Sequence, residues 1–377
     1  MSARGTVKRR DLLMILSGAA LTAACAPALK ASQQALPDAQ PSDSGGNLGA
    51  DAQSGEVDSL AVAPSQTADA GSVLDSVEIT DTSLPDIQPI SAITPANLHY
   101  VTSCCGSPAI DASAWQVQVL DRGKTLGQFG MGQLLKLPAK TKEHTLECIS
   151  AGPLNQAISN AIWTGVPLLE VMASIGIAVP PSALSLKFTC ADGYTTAVPV
   201  SDLQKPMWLV WLMNGQAIPP EHGFPVRLLN PGRYGMKNPK WLTSMEFIDT
   251  PYLGFWEKAG WSDTAVYRPQ TLIARPLALG TTPPGSLKVY GTAYAGSDAV
   301  EQVQVRLDQG PWQNAVLDYA PGADIWVLWH LDLIVTTGAH TVQARCQTAN
   351  SAQSSDDGGP QDLAGYGGSM SVDFDVA

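Results

Sequence analysis

The feature that most limits this chain is the twenty-residue stretch His222–Trp241, which reads HGFPVRLLNPGRYGMKNPKW. Gly and Pro interrupt it too often for a helix face. The pair Asn214-Gly215 just upstream is a hairpin turn that ends the apolar strand Met207–Met213 at a loop rim. Between Arg227 and Lys240 stand four of the chain's 22 Lys and Arg residues, and no acid. The pattern predicts a rigid, irregular loop with exposed backbone N–H groups. Cations beside free amides on a tight backbone suit a phosphate or another polyanion. A solvated basic loop is the plain alternative on composition alone.

HGFPVR, then Pro-Gly, a Gly and the pair Lys240-Trp241 resembles the pterin-binding loop of the sulfite oxidase family of molybdopterin enzymes. The resemblance runs from about Thr94 to the C-terminus. It implies an α+β fold class, with a mixed α/β molybdopterin domain followed by an immunoglobulin-like β-sandwich that makes a dimer contact. It also implies that His222, Arg227 and Lys240 clamp the pterin and its phosphate, with Tyr100, Ser103 and Asp192 as further contacts.

Cys148 is the candidate metal ligand. It ends the short strand His144–Ile149, where the chain enters the Gly-Pro loop Ala151–Leu154. A thiolate at a strand end is a suitable soft ligand for molybdenum, although on spacing alone a buried structural thiol is the commoner reading. The resemblance places the family's molybdenum-ligating cysteine here. Elsewhere the chain departs from the family. Ile162 stands where an Arg usually precedes Trp163, and Ser150-Ala-Gly-Pro replaces a pair of arginines. Trp261 stands at an active-site Tyr position, where it would shape the substrate pocket. Binding a small dianion without paired cations is costly, so a different, less charged substrate than sulfite is expected. Lys258 and Arg268 are candidates to replace the lost charge from new positions.

The N-terminus reads as targeting. Arg9-Arg10 precedes the apolar run Leu12–Ala24, which is too short to span a bilayer and resembles a twin-arginine export signal. Leu21-Thr-Ala-Ala-Cys25 resembles a lipoprotein cleavage box, so Cys25 is a candidate lipid anchor to the membrane; plain cleavage after Ala26 is the rival. The expected divisions are a signal over 1–25, an acidic tether over 26–93, the cofactor domain over 94–275 and the sandwich over 283–377. The segment Ala31–Pro95 holds ten acids and no Lys, Arg or aromatic residue, so it cannot bury enough apolar surface to offset its ordering entropy. It carries −10 of the net −12, the first thirty residues +4, and the rest −6. Acidity therefore describes the tether. No basic face suited to nucleic acid is visible.

The remaining chain predicts strands at Trp115–Leu120 and Phe188–Tyr194, and a helix over Val166–Ile175 closed by Gly176. After the Pro-rich linker Arg275–Gly285, strands recur at short spacing to Val376, with Ser351–Pro360 as an exposed loop. Of six cysteines, Cys190 and Cys346 read as buried thiols. For Cys104-Cys105 a vicinal disulfide, a redox pair and two unrelated thiols stay open, the last being the plain reading. There is no CxxCH for haem, no paired CxxC, no HxH or HxxxH, no GxSxG and no Walker loop. Electrons would thus pass to or from a separate protein such as a cytochrome. The activity implied is two-electron oxidation or oxygen-atom transfer on a small substrate at molybdenum. The alternative is a surface-tethered binding protein that keeps the fold without catalysis.

Overall fold

The computed structural model describes residues 90–153, 155–350, 354 and 363–377. The signal-like segment, Cys25, the acidic tether up to residue 89 and the Ser351–Pro360 loop (apart from the buried Ser354) lie outside the described residues. Ile90 and Ala92, expected in the tether, instead pack on the core, and Ala92 O accepts from Asn160 and Trp326. The architecture is sheet-rich, with only short helices.

Two sheets build the first half. One runs across Lys124–Gly130, Gln116–Asp121, Leu242–Ile248, Ser185–Cys190 and Thr195–Pro199. Its pair Gln116–Asp121 and Leu242–Ile248 is parallel and the remaining neighbours are antiparallel. Alternation drives it: Val117 and Val119 are fully buried while Gln116 and Gln118 face outward. The other sheet runs across Lys140–Glu147, Ile158–Pro167, Trp208–Met213 and Gln216–Ala217, with Arg227–Leu229 also paired to Trp208–Met213. The hairpin at Asn214-Gly215 forms as the dipeptide predicts, both residues at positive φ.

Two local expectations give way to tertiary pairing. Val166 and Pro167 belong to a strand, paired with Leu209 and Trp208, so the helix starts only at Leu168 and ends at Ser174. Pro167 lacks the N–H that a helix interior needs, and the sheet neighbour outcompetes the local helix signal. The loop His222–Trp241 is irregular as read, but it is buried rather than exposed. Its Val226, Leu228 and Leu229 are fully buried, and the pairing of Arg227–Leu229 with Trp208–Val210 draws the basic stretch inside.

The second half is built from two more sheets. One is ordered Gln270–Arg275, Gly285–Tyr294, Val327–Val335, Val316–Tyr319; the other Thr281–Thr282, Met370–Val376, Gly338–Thr348, Val300–Leu307, Gln313–Asn314. Their inner residues, among them Val289, Trp329, Val303, Val342 and Phe374, share one core. The strand Gln270–Arg275 precedes the linker yet pairs with Gly285–Tyr294 beyond it. The same core takes in Ile149 and Ile158 from the first half. Thr145 joins the halves further: its N–H donates to Asp324 O at 2.9 Å, its carbonyl accepts the Tyr294 hydroxyl at 3.2 Å, and its hydroxyl accepts Trp326 N–H at 2.9 Å.

Candidate cofactor site

The strand Lys140–Glu147 sets the position of Cys148. Leu146 and Glu147 are buried, which fixes the strand's rotation, and the chain turns immediately after. Cys148 N–H donates to Ala157 O at 2.9 Å, and its carbonyl accepts Ala151 N–H at 2.8 Å. The thiol is free and half-buried. Around it stand neutral polar groups. Ser150 Oγ lies 3.1 Å from the sulfur, Thr102 donates its hydroxyl from 3.9 Å, and Asn155 Nδ2 donates to Ser150 Oγ at 3.2 Å.

Tyr100 connects this thiol to the basic loop. Its N–H donates to Ser159 Oγ at 3.0 Å. Burial first, and the nearby Cys148 second, hold its hydroxyl well above the usual tyrosine range, so it stays an O–H donor. A Cβ added at Gly235 would lie 2.7 Å from that hydroxyl and 3.3 Å from Glu147 O. Glycine is therefore required where the loop passes the strand end.

Within the loop, His222 is buried and its Nε2 pairs with Ala96 O at 2.9 Å, while its ring meets His99 edge-on at 5.1 Å. Arg227 is 6 % exposed and stacks over Trp163 at 5.3 Å. It donates to His222 O at 3.0 Å and to Asn238 O at 3.1 Å, and its buried Nε has no partner. Lys240 Nζ lies 4.2 Å over the Trp241 ring and donates to Glu221 O at 2.8 Å and Thr102 O at 3.2 Å. Gly223, at φ +114°, carries the chain through this crowding. A Cβ there would meet Arg227 Cβ at 3.0 Å and Lys240 Cβ at 3.1 Å.

These two cations have only carbonyl partners; among the described residues neither forms an ion pair with a carboxylate. Burial pulls Arg227 down to about 10. Burial, then the charge of Arg227, pulls Lys240 down to about 7. A buried arginine with an orphaned N–H and a half-buried lysine, neither in an ion pair, form a site electrostatically prepared for an anion. Another buried cation of the loop, Lys237, contrasts: it pairs with the buried Glu257 and reaches Asp263 at 3.2 Å.

The remaining sequence-predicted residues divide. Asp192 lies on this side, its carboxyl raised by burial and opposed by the charge of Lys240. Ser103 sits on the neighbouring loop, but its hydroxyl donates to Gly106 O at 2.6 Å. Trp261 packs against the core of the second half, with its N–H donating to Trp256 O at 3.2 Å. Lys258 lies over Tyr252, and Arg268 Nη1 donates to Gly365 O at 3.1 Å. Residues not singled out in the sequence join the site: His99, which burial pulls down to about 3, Thr102, Asn155 and Asn238. Only the adjacency of His99 to Tyr100 hinted at any of them.

A soft thiol beside a buried cationic cradle defines a site for a phosphate-bearing metal cofactor. The donor set fits a pterin phosphate at Arg227 and Lys240 and a thiophilic metal at Cys148. Residues 105–256 match the family described as the oxidoreductase molybdopterin binding domain. The chain is 27% identical to the sulfite oxidase of Gallus gallus over 69% of its own length and 67% of that protein. It is 26% identical to a nitrate reductase of Brassica napus over 67% of this chain, which spans about a third of that relative, 35%. Its fold matches the crystal structure of the sulfane dehydrogenase SoxCD from Paracoccus pantotrophus with a TM-score of 0.67, at 20% identity, covering 75% of this chain and 81% of that one. Residues 105–256 thus form a molybdopterin-binding oxidoreductase domain, the chain is similar to sulfite oxidases and nitrate reductases, and molybdopterin is its cofactor.

Proposed function

We propose that this is an exported molybdopterin oxidoreductase acting on a small substrate that carries less charge than sulfite. The observation that carries the reading is the pair of the buried Arg227 and the half-buried Lys240, neither ion-paired to a carboxylate, next to the loop that reaches Cys148. Cys148 would ligate the metal, and Arg227, Lys240 and His222 would hold the pterin and its phosphate, with Tyr100 and Asp192 beside them. When bound, the cofactor supplies two-electron oxidation or oxygen-atom transfer. The chain's own part is placement. Arg227 is locked by two carbonyls and Trp163, so it meets a phosphate without reorganising. Tyr100 keeps a proton on its hydroxyl near the thiol.

The substrate class follows from what surrounds Cys148. Thr102, Ser150 and Asn155 offer hydroxyl and amide groups, and a small dianion held by neutral donors alone would be bound weakly. A sulfoxide or another weakly charged oxo compound suits these donors better than sulfite. Trp261, packed on the second half, would shape the site from outside rather than touch the metal.

Export rests on the Arg9-Arg10 pattern, and a membrane anchor on Cys25. An immunoglobulin-like assignment of the second half, with a homodimer contact through it, is supported by its two sheets around one core. Electrons would leave or arrive by a separate protein such as a cytochrome. Elemental analysis of the purified protein is the direct test: one molybdenum per chain is expected, and a well-folded metal-free protein overturns the reading. Cys148→Ser should abolish turnover with an artificial electron acceptor or donor while leaving the fold intact. Activity on sulfite equal to that on sulfoxides would remove the substrate argument.

A further inference from the structure

Residues 101–106 cross the cofactor cradle with little to hold them. Among the described residues, no backbone–backbone hydrogen bond involves this segment. Two side-chain bonds tie it to the rest of the fold, Thr102 Oγ1 to Cys148 Sγ at 3.9 Å and Lys240 Nζ to Thr102 O at 3.2 Å, while a third is internal, from Ser103 Oγ to Gly106 O at 2.6 Å. Between Ser103 and Gly106 lies a covalent bond between neighbours in sequence, the Cys104–Cys105 disulfide. Its sulfurs and the Asp192 carboxylate lie within 4.8 Å of one another. The segment therefore reaches from the metal-ligand thiol, over Lys240, to Asp192.

We propose that Cys104–Cys105 is a dithiol-exchange site whose oxidised form fixes this segment as a strap across the cradle. The placement of the two sulfurs supports exchange: Cys104 packs against the core of the first sheet while Cys105 is exposed, so an external thiol reaches one sulfur from solvent. The thiolate of a small dithiol attacks Cys105 Sγ, the S–S bond breaks, and the Cys104 sulfur leaves and takes a proton. The second thiol of the reagent then closes on the mixed disulfide and releases Cys105 as a thiol. Two electrons and two protons pass to the protein, and the reagent leaves as its cyclic disulfide. A disulfide between adjacent residues closes a small ring that confines the backbone on both sides. Opening it returns that freedom to a segment with no other regular structure. The proposal rests on the cofactor reading only for its second consequence, that the open strap lets the cofactor go. A chain folded and loaded in a reducing compartment would thus be closed by exchange with an external disulfide in an oxidising one, the two thiols passing their two electrons and two protons to that disulfide.

The test uses the full chain, untreated or treated with dithiothreitol, beside Cys104→Ser. Iodoacetamide and peptide mass analysis should find Cys104 and Cys105 unlabelled in the untreated protein and both labelled after reduction, while the buried Cys190 and Cys346 stay unlabelled. Amide hydrogen exchange over 101–106 should quicken severalfold on reduction, and equally in Cys104→Ser without reductant. Molybdenum should be lost to dialysis severalfold faster from both open forms. Labelling without reductant, or exchange unaffected by reduction, overturns the proposal. Equal metal loss from open and closed forms overturns the strap's role in retention. A chain that never carries molybdenum sinks the cofactor reading instead, and the first two measurements still decide the exchange site.

Discussion

Within fifteen residues of one loop, buried cations are satisfied in opposite ways. Lys237 is 1 % exposed and meets Glu257, Asp263 and the carbonyl of Ala197. Arg227 and the half-buried Lys240 donate hydrogen bonds to carbonyls and lie over Trp163 and Trp241, with no ion pair among the described residues. Desolvating a charge costs several kcal/mol, and only an opposite charge with good hydrogen bonds offsets it. The chain supplies that charge internally for Lys237, which therefore belongs to the framework. For the other two, the proposed cofactor's phosphate would supply that charge. The difference separates a structural lysine from binding ones, although in sequence all of them are basic residues between Gly and Pro.

Breaking the internal pair should have the largest effect. Glu257→Gln leaves Lys237 buried with one exposed carboxylate and should destabilise by roughly 3–5 kcal/mol, at the lower end because Asp263 remains. Denaturant unfolding of metal-free protein measures this, and a loss comparable to a surface substitution would erase the contrast. Gly223→Ala should come next, at more than about 1 kcal/mol, because φ +114° suits no Cβ and the added carbon crowds Arg227 and Lys240. Molybdenum content should fall in parallel. Arg227→Met should barely change the stability of the metal-free protein, within about 1 kcal/mol, since a costly unpaired charge disappears with its two hydrogen bonds. Metal content of that variant should nonetheless collapse.

The comparison sharpens further through pH. Lys240 titrates near 7 when folded and at the ordinary 10.5 when unfolded, so between these values the unfolded chain binds the extra proton. The metal-free protein should gain stability as pH rises from about 7 towards 10.5, and Lys240→Met should flatten that slope. Phosphate should behave inversely, binding the metal-free protein more weakly as pH rises through about 7, because the anion needs the protonated amine. Calorimetric titration with inorganic phosphate reads this directly.

Much of the site was legible because backbone demands leave marks in sequence. Asn214-Gly215 gave the hairpin, Gly223 and Gly235 stand where a Cβ has no room, and Cys148 stood at a visible strand end. What stayed hidden depends on long-range pairing. Nothing local says that the basic loop is buried, since that follows from Arg227–Leu229 pairing with Trp208–Val210. The helix expected from Val166 was shortened by the same sheet. Thr102 and Asn155 are ordinary loop residues whose approach to the thiol region only the assembled chain reveals. Trp261, expected at the pocket from its matched position, is half-buried against a core that includes Tyr234 and Met236 of the basic loop.

The triple attachment of Thr145 to Asp324, Tyr294 and Trp326 lies three residues before Cys148, the proposed metal ligand. Truncation ahead of the sandwich would therefore not yield a smaller catalyst. It would strip three anchors and a shared apolar floor from the strand that aims Cys148, and the severed front half would lose its grip on the metal even with every cradle residue still present.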